Sequence, residues 1–230
     1  MERHFDHDLN ELRQRLLTMA SHAETAVNRA IEALTTRNYD LALQVKQDDA
    51  VLDRCEVEID DLAINLLAKA PLATDLRLVT AAMKISQNLE RVGDEATKIA
   101  KRARDLSQEP PVKIQVDLPR MAGLALAMLK GALDAFVNRD STAARALIPQ
   151  DLEVDALNKQ INRELTQYMM SDRDSIPRCL NLMVATRSLE RIADHATNVA
   201  EDVVFLCEAQ DIRHPGINQG ESVKRNLPVP

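Results

Sequence analysis

Thirteen residues recur, little changed, one hundred positions apart. Asn88-Leu-Glu-Arg-Val-Gly-Asp-Glu-Ala-Thr-Lys-Ile-Ala100 lines up with Ser188-Leu-Glu-Arg-Ile-Ala-Asp-His-Ala-Thr-Asn-Val-Ala200. Earlier segments repeat at an offset of 102: Ala30-Ile-Glu-Ala-Leu34 with Ala132-Leu-Asp-Ala-Phe136, and Asp49 and Asp53 with Asp151 and Asp155. A repeat this long means one supersecondary unit built twice. Whatever the first half folds into, the second must fold into as well, with approximate internal symmetry between them.

The unit is helical. Apolar residues three and four apart mark amphipathic helix. Leu9, Leu12, Leu16, Ala20, Ala23, Val27, Ala30 and Leu34 give a first helix, with Asn38 and Asp40 between it and the next. Leu41, Val45, Leu52, Cys55, Ile59, Leu62 and Leu66 give a second, which Pro71 ends. Thr74 or Asp75 caps a third, with its stripe on Leu76, Val79, Met83, Leu89, Val92, Ala96, Ile99 and Ala103. Pro110-Pro111 stops helix. The pattern restarts near Pro119, a first-turn proline, with Met121, Ala125, Met128, Ala132 and Ala135. Asp140 or Ser141 caps a fifth helix carrying Leu147, Val154, Leu157, Ile161 and Tyr168, which Pro149 should kink or delay. Ser175 opens a sixth, on Leu182, Leu189, Ile192, Ala196, Val199, Val203 and Leu206. Only 2% of residues are aromatic and five are Gly, so a turn-rich β fold is disfavoured.

Short connections make neighbouring helices antiparallel. The expected fold is all-α: two tandem antiparallel three-helix bundles, six helices in all, related by a pseudo-twofold repeat. The expected divisions are an N-terminal bundle over 1–109, a linker over 110–118, a C-terminal bundle over 119–211 and a mobile tail over 212–230.

A net charge of −7 argues against general nucleic-acid binding, which needs cations to neutralise phosphate. No apolar run approaches the length of a bilayer span, and the charged start from Met1 to Asp8 lacks a signal-peptide core. A cytoplasmic protein is expected, meeting membranes only through partners. Cys55, Cys179 and Cys207 form no CxxC pair and read as reduced thiols, the first two among apolar positions.

Four acid-x-x-x-acid pairs stand out: Asp49/Asp53, Glu90/Asp94, Asp151/Asp155 and Glu190/Asp194. Residues four apart share a helix face, with Cβ atoms about 6 Å apart. With a turn at Leu72, Asp53 lies 19 residues before it and Glu90 18 after, and Asp49 and Asp94 lie 23 before and 22 after. An antiparallel hairpin therefore brings all four carboxylates level, and Asp151, Asp155, Glu190 and Asp194 repeat the arrangement about Arg173. Four level oxygens suit a hard cation or iron. Leu89, Val92 and Ala96 face the core, so the squares sit on the bundle surface. A solvated acidic face, or ion pairing to Arg91 and Arg191, is the competing reading. No Glu-x-x-His pair of the di-iron kind occurs among these motifs. His195 reads as a surface histidine, and His4, His7 and His22 lack metal spacing. There is no nucleophile–base motif and no phosphate-cradling glycine loop. The chain is read as a non-enzyme, with a metal-dependent enzyme and a purely structural scaffold as the alternatives.

The doubled Leu-Glu-Arg-(Val/Ile)-(Gly/Ala)-Asp motif and the six-helix order, from His4-Phe5-Asp6 to about Asp211, resemble the PhoU family. That resemblance implies multinuclear metal clusters at Asp49, Asp53, Glu90 and Asp94 and at Asp151, Asp155, Glu190 and Asp194. Iron comes first, with Mg, Mn, Ca or Zn as alternatives. Lys98 and Lys101 of the first half correspond to Asn198 and Glu201 of the second, so the second site is expected to be the better occupied. The resemblance also implies negative control of the phosphate-starvation (Pho) response and of phosphate uptake. Its implied partners are the ATPase subunit of a phosphate ABC transporter, a PhoR-type sensor histidine kinase and a second copy of the chain.

Overall fold

The computed structural model describes residues 2–69 and 72–213, with side chains from Phe5 onward. The described residues form seven α-helices and two short 3-10 turns, with no strand among them. Three long helices, α1 (Glu2–Thr36), α2 (Tyr39–Leu67) and α3 (Ala73–Ser107), pack on one another as the first bundle. The second bundle comprises α4 (Leu118–Asn138), α5 (Ser141–Leu147), α6 (Asp151–Ser171) and α7 (Ile176–Glu208).

The extra helix comes from Pro149. It lacks an N–H and its ring crowds the preceding turn. The expected fifth helix therefore splits into α5, a 3-10 turn over Ile148–Gln150, and α6. Asn38 caps α2, accepting from the Leu41 N–H at 3.1 Å, and Asp140 caps α5, accepting from Ala143 at 2.9 Å. Neither Thr74 nor Asp75 caps α3. Leu72 occupies that position in extended conformation without a side-chain cap, and Asp75 sits in the first turn, where a negative charge meets the positive end of the helix dipole. Pro71 and residues 214–230 of the expected tail lie outside the described residues, and α2 ends at Leu67.

The apolar stripes form the core. All eight expected residues of α1 are buried, as are all five of α4. Leu41, Cys55, Leu62, Met83, Leu147, Tyr168 and Leu182 pack half-buried against the core, and Leu76 is exposed, at 42%, in the first turn of α3. Cys179 is buried, Cys55 half-buried and Cys207 exposed, and all three are free thiols. One expectation needs correcting. By length and composition α4 is apolar enough to cross a bilayer. Here its apolar face, including Met121, Ala125, Met128 and Leu129, is buried in the second bundle.

The bundles meet along α3 and α7. Lys84 pairs with Asp202 at 3.3 Å, Asn88 meets His195 at 3.1 Å, Glu95 meets Arg191 at 3.1 Å and Arg102 donates to Asn181 at 3.0 Å. Each step forward on α3 is a step back on α7, so the two helices run antiparallel. Their crossing falls near Val92 and Ile192, which are repeat equivalents, so the pseudo-twofold axis passes between the helices there.

Candidate metal sites and the cleft between them

The carboxylates expected to stand level do come together. In the first half Asp49, Asp53, Glu90 and Asp94 influence one another across α2 and α3. Burial raises Asp49 first; Thr97 opposes it, and Asp53 and Asp94 add to it. Burial also raises Glu90, followed by Asp94, Glu56 and Asp53. Gly93 lets the helices approach here: a Cβ in its place would come within 2.3 Å of Leu52 Cδ1 and 3.5 Å of Asp49 Oδ1.

The second half repeats the arrangement across α6 and α7. Asp151 is raised by burial, then by Asp155 and Glu190. Its Oδ1 is buried without a hydrogen-bond partner. Glu190 is raised by burial despite Arg187, which lies 3.5 Å away. Asp194 is pushed up to about 6, by burial first and then by Asp151 and Asp155, with Arg187 and Arg191 opposing. Asp53, Asp94 and Asp194 are exposed and the other five are half-buried, which fits a surface location.

Mutual repulsion and an unpartnered buried oxygen are what an all-oxygen site shows when no cation neutralises it. The donor set therefore fits a hard cation. Among the described residues, however, no three His, Cys, Asp or Glu side chains converge as they stand on one ion position. The carboxylates would have to rotate toward one another to hold one.

Two neighbouring cations find their nearest partner in Glu95, between the squares. Arg191 pairs with Glu95 instead of Glu190 or Asp194, and Lys98 also turns to Glu95, at 2.9 Å. Sequence reasoning also missed Glu56 and Asp60, which extend the Asp49/Asp53 ridge along α2; burial raises Glu56, then Asp60 and Asp53 do so. The spacing of 49, 53, 56 and 60 was the available signal. Their equivalents are Asn158 and Asn162, and Asn158 donates to Glu190 Oε2 at 2.8 Å. The first half thus gathers six acids where the second has four and two amides.

These shifts give a pH dependence. A carboxyl that binds its proton more tightly when folded stabilises the fold below its unfolded pKa, and that contribution is lost as pH rises through the folded value. Glu56, Asp49, Glu90, Asp151, Glu190 and Asp194 all have this sign. The chelator-treated protein should therefore melt at a higher temperature near pH 5 than near pH 8. Asp194 is exposed, and screening trims its share to about 1 kcal/mol. Asp194→Asn should raise the melting temperature at pH 8 by about 2–4 °C and flatten the pH profile. A profile that falls on going from pH 8 to pH 5 would contradict the crowded carboxylates.

The two squares flank a single cleft on the axis, about 380 Å³ in volume, which both Asp94 and Asp194 line. Glu95 lies at its floor, only 4% exposed. Burial pushes Glu95 up, but Lys98, Ser188 and Arg191 more than offset this and hold the carboxyl below its ordinary value. His195 is half-buried between the bundles, not on the open surface, and burial followed by Arg91 lowers its pKa.

Comparison with known proteins places this geometry in a family. The PhoU domain matches residues 16–103 and 118–203, one copy per half. The chain is 39% identical over 225 residues to a "Phosphate-specific transport system accessory protein PhoU homolog" of Pseudomonas aeruginosa, covering 96% of this chain and 93% of that protein. It is 37% identical over 213 residues to the homolog of the same description from Aquifex aeolicus, covering 92% and 96%. The crystal structure of PhoU from Pseudomonas aeruginosa superposes with a TM-score of 0.87 at 39% identity, over 90% of this chain and all of that one. That of the phosphate transport system regulatory protein PhoU from Streptococcus pneumoniae gives 0.83 at 28% identity, over 90% and 99%. With a matching domain in each half and relatives aligned almost end to end, the chain belongs to the PhoU family.

Proposed function

We propose that this chain is an accessory regulator of phosphate transport. It acts as a cytoplasmic helical adaptor, not an enzyme, restraining uptake and the Pho response when phosphate is plentiful. It couples the ATPase subunit of a phosphate ABC transporter to a PhoR-type sensor kinase, and works as a homodimer. The observation that carries this reading is near-full-length identity to proteins described as accessory to the phosphate-specific transport system. Long helices with polar outer faces suit docking onto other proteins.

The two acidic squares are its metal sites in this reading. Asp49, Asp53, Glu90 and Asp94 hold one cation set, with Glu56 and Asp60 alongside; Asp151, Asp155, Glu190 and Asp194 hold the other. A bound ion would supply the positive charge that these carboxylates lack. Its hold should be stronger in the first half, where more acids gather.

Affinity purification of the tagged chain from phosphate-replete cells tests the adaptor role. The transporter ATPase subunit and the kinase should co-purify with it. Recovery of neither overturns the reading.

A further inference from the structure

A threonine inside a helix commonly turns its hydroxyl onto the carbonyl three or four residues back. Thr18 and Thr25 do so on α1, Thr80 on α3, Thr166 on α6 and Thr186 on α7. Among the described residues past the first turn of their helices, two threonines do not. Thr97 and Thr197 lie deep within α3 and α7, and their hydroxyl oxygens are buried without a hydrogen-bond partner. They are repeat equivalents, so the same departure occurs once in each half. A buried polar group without a partner is destabilising, and here it is found twice.

Both stand beside an acidic square. Thr97 follows Asp94 by three residues and Gly93 by four, so the three share a face of α3. Asp49 reaches that face from α2. A Cβ on Gly93 would come within 3.5 Å of Asp49 Oδ1. The Thr97 hydroxyl opposes the upward push that burial gives the Asp49 carboxyl, yet the two close no full hydrogen bond as they stand. The equivalent pair in the second half is Thr197 and Asp151. There Thr197 Oγ1 and Asp151 Oδ1 are both buried and unpartnered. A hydroxyl donates and a carboxylate oxygen accepts, so each half holds a donor and an acceptor that complement one another across the hairpin.

We propose that Thr97 and Thr197 are positioning residues for the two squares: each hydroxyl donates to one oxygen of Asp49 or Asp151 and turns the other oxygen toward the cation. This rests on the reading of the squares as metal sites. It also meets their one geometric shortfall, since among the described residues no three acids converge on an ion position until the carboxylates rotate. A donor that fixes one carboxylate's rotation leaves less freedom to be lost on binding. Partners outside the ligand set orient metal-binding groups in this way. Neither hydroxyl needs access to the ion, because it acts through the carboxylate.

The test is titration of the full chain, chelator-treated and desalted, with manganese(II), free metal being read from its electron paramagnetic resonance signal. Thr97→Val combined with Thr197→Val exchanges each hydroxyl for a methyl of the same shape. It should weaken manganese binding by about 10–100-fold. Thr97→Ser combined with Thr197→Ser keeps the hydroxyls and should keep the parent's affinity. Thr80→Val, fourteen residues before Asp94 on α3, should bind as the parent does. Melting of the metal-free protein separates positioning from a merely structural role. Replacing an unpartnered buried hydroxyl by a methyl should leave the melting temperature unchanged or higher, whereas a structural hydroxyl would lower it. Three results would overturn the proposal: full manganese affinity in the Val pair, a Ser pair as weak as the Val pair, or a metal-free Val pair that melts below the parent. A parent chain that takes up no manganese would overturn the metal reading as well; a parent that binds beside an unaffected Val pair would overturn the positioning role alone.

Discussion

Deleting the gene for this chain is expected to switch on phosphate-starvation genes in cells grown with ample phosphate. An adaptor holds a kinase in its repressing mode only through a difference in affinity between that mode and the activating one. Its removal returns the whole of that difference. Coupling energies of this kind correspond to about 5–150-fold, and a starvation promoter driving a reporter should rise within that range. A plasmid copy of the gene should restore repression. Unchanged repression in the deletion strain would remove the regulatory reading altogether.

Metal content should respond as sharply to four substitutions. At 4 Å and an effective dielectric of about 20, each unit charge contributes about 4 kcal/mol of attraction to a cation's charge. Exchanging Asp49, Asp94, Asp151 and Asp194 together for Asn strips two charges from each square. After reconstitution with iron or manganese and desalting, elemental analysis should find metal on the parent chain and essentially none on this variant. The first-half pair alone should remove the larger share, since Glu56 and Asp60 reinforce that side. The variant should remain folded, because the substitutions relieve repulsion in the metal-free protein, where Asp49, Glu90, Asp151 and Asp194 are raised. Retention of the parent's metal content by the fourfold variant would return the squares to ordinary solvated faces.

The helices were legible because their stripes are long and uniform. Eight residues of α1 at 3-4 spacing leave no other element to choose, and Asn38 and Asp140 cap where their types predict. The squares were legible for a related reason: in an antiparallel hairpin, equal distance from the turn means equal height. Contacts between bundles were not, because nothing local in the chain says that α3 lies on α7. Arg191 and His195 were therefore assigned to their own half or to open surface. They belong to an interface that only the tertiary fold creates. Leu76 shows the same limit at smaller scale. Periodicity put it in the core, but in the first turn of α3 it stays 42% exposed.

The crossing of α3 over α7 has one further consequence. A twofold axis that passes between two antiparallel helices, at right angles to both, carries each flank of the pair into the other without turning it over. Asp94 and Asp194 accordingly look out in the same direction, on either side of a shared opening. A neighbour resting flat on that side would meet eight negative charges when the squares are bare and far fewer once they are filled. It would register either half through the same footprint. Had duplication set the squares back to back, the molecule would need two listeners; as built, it needs one.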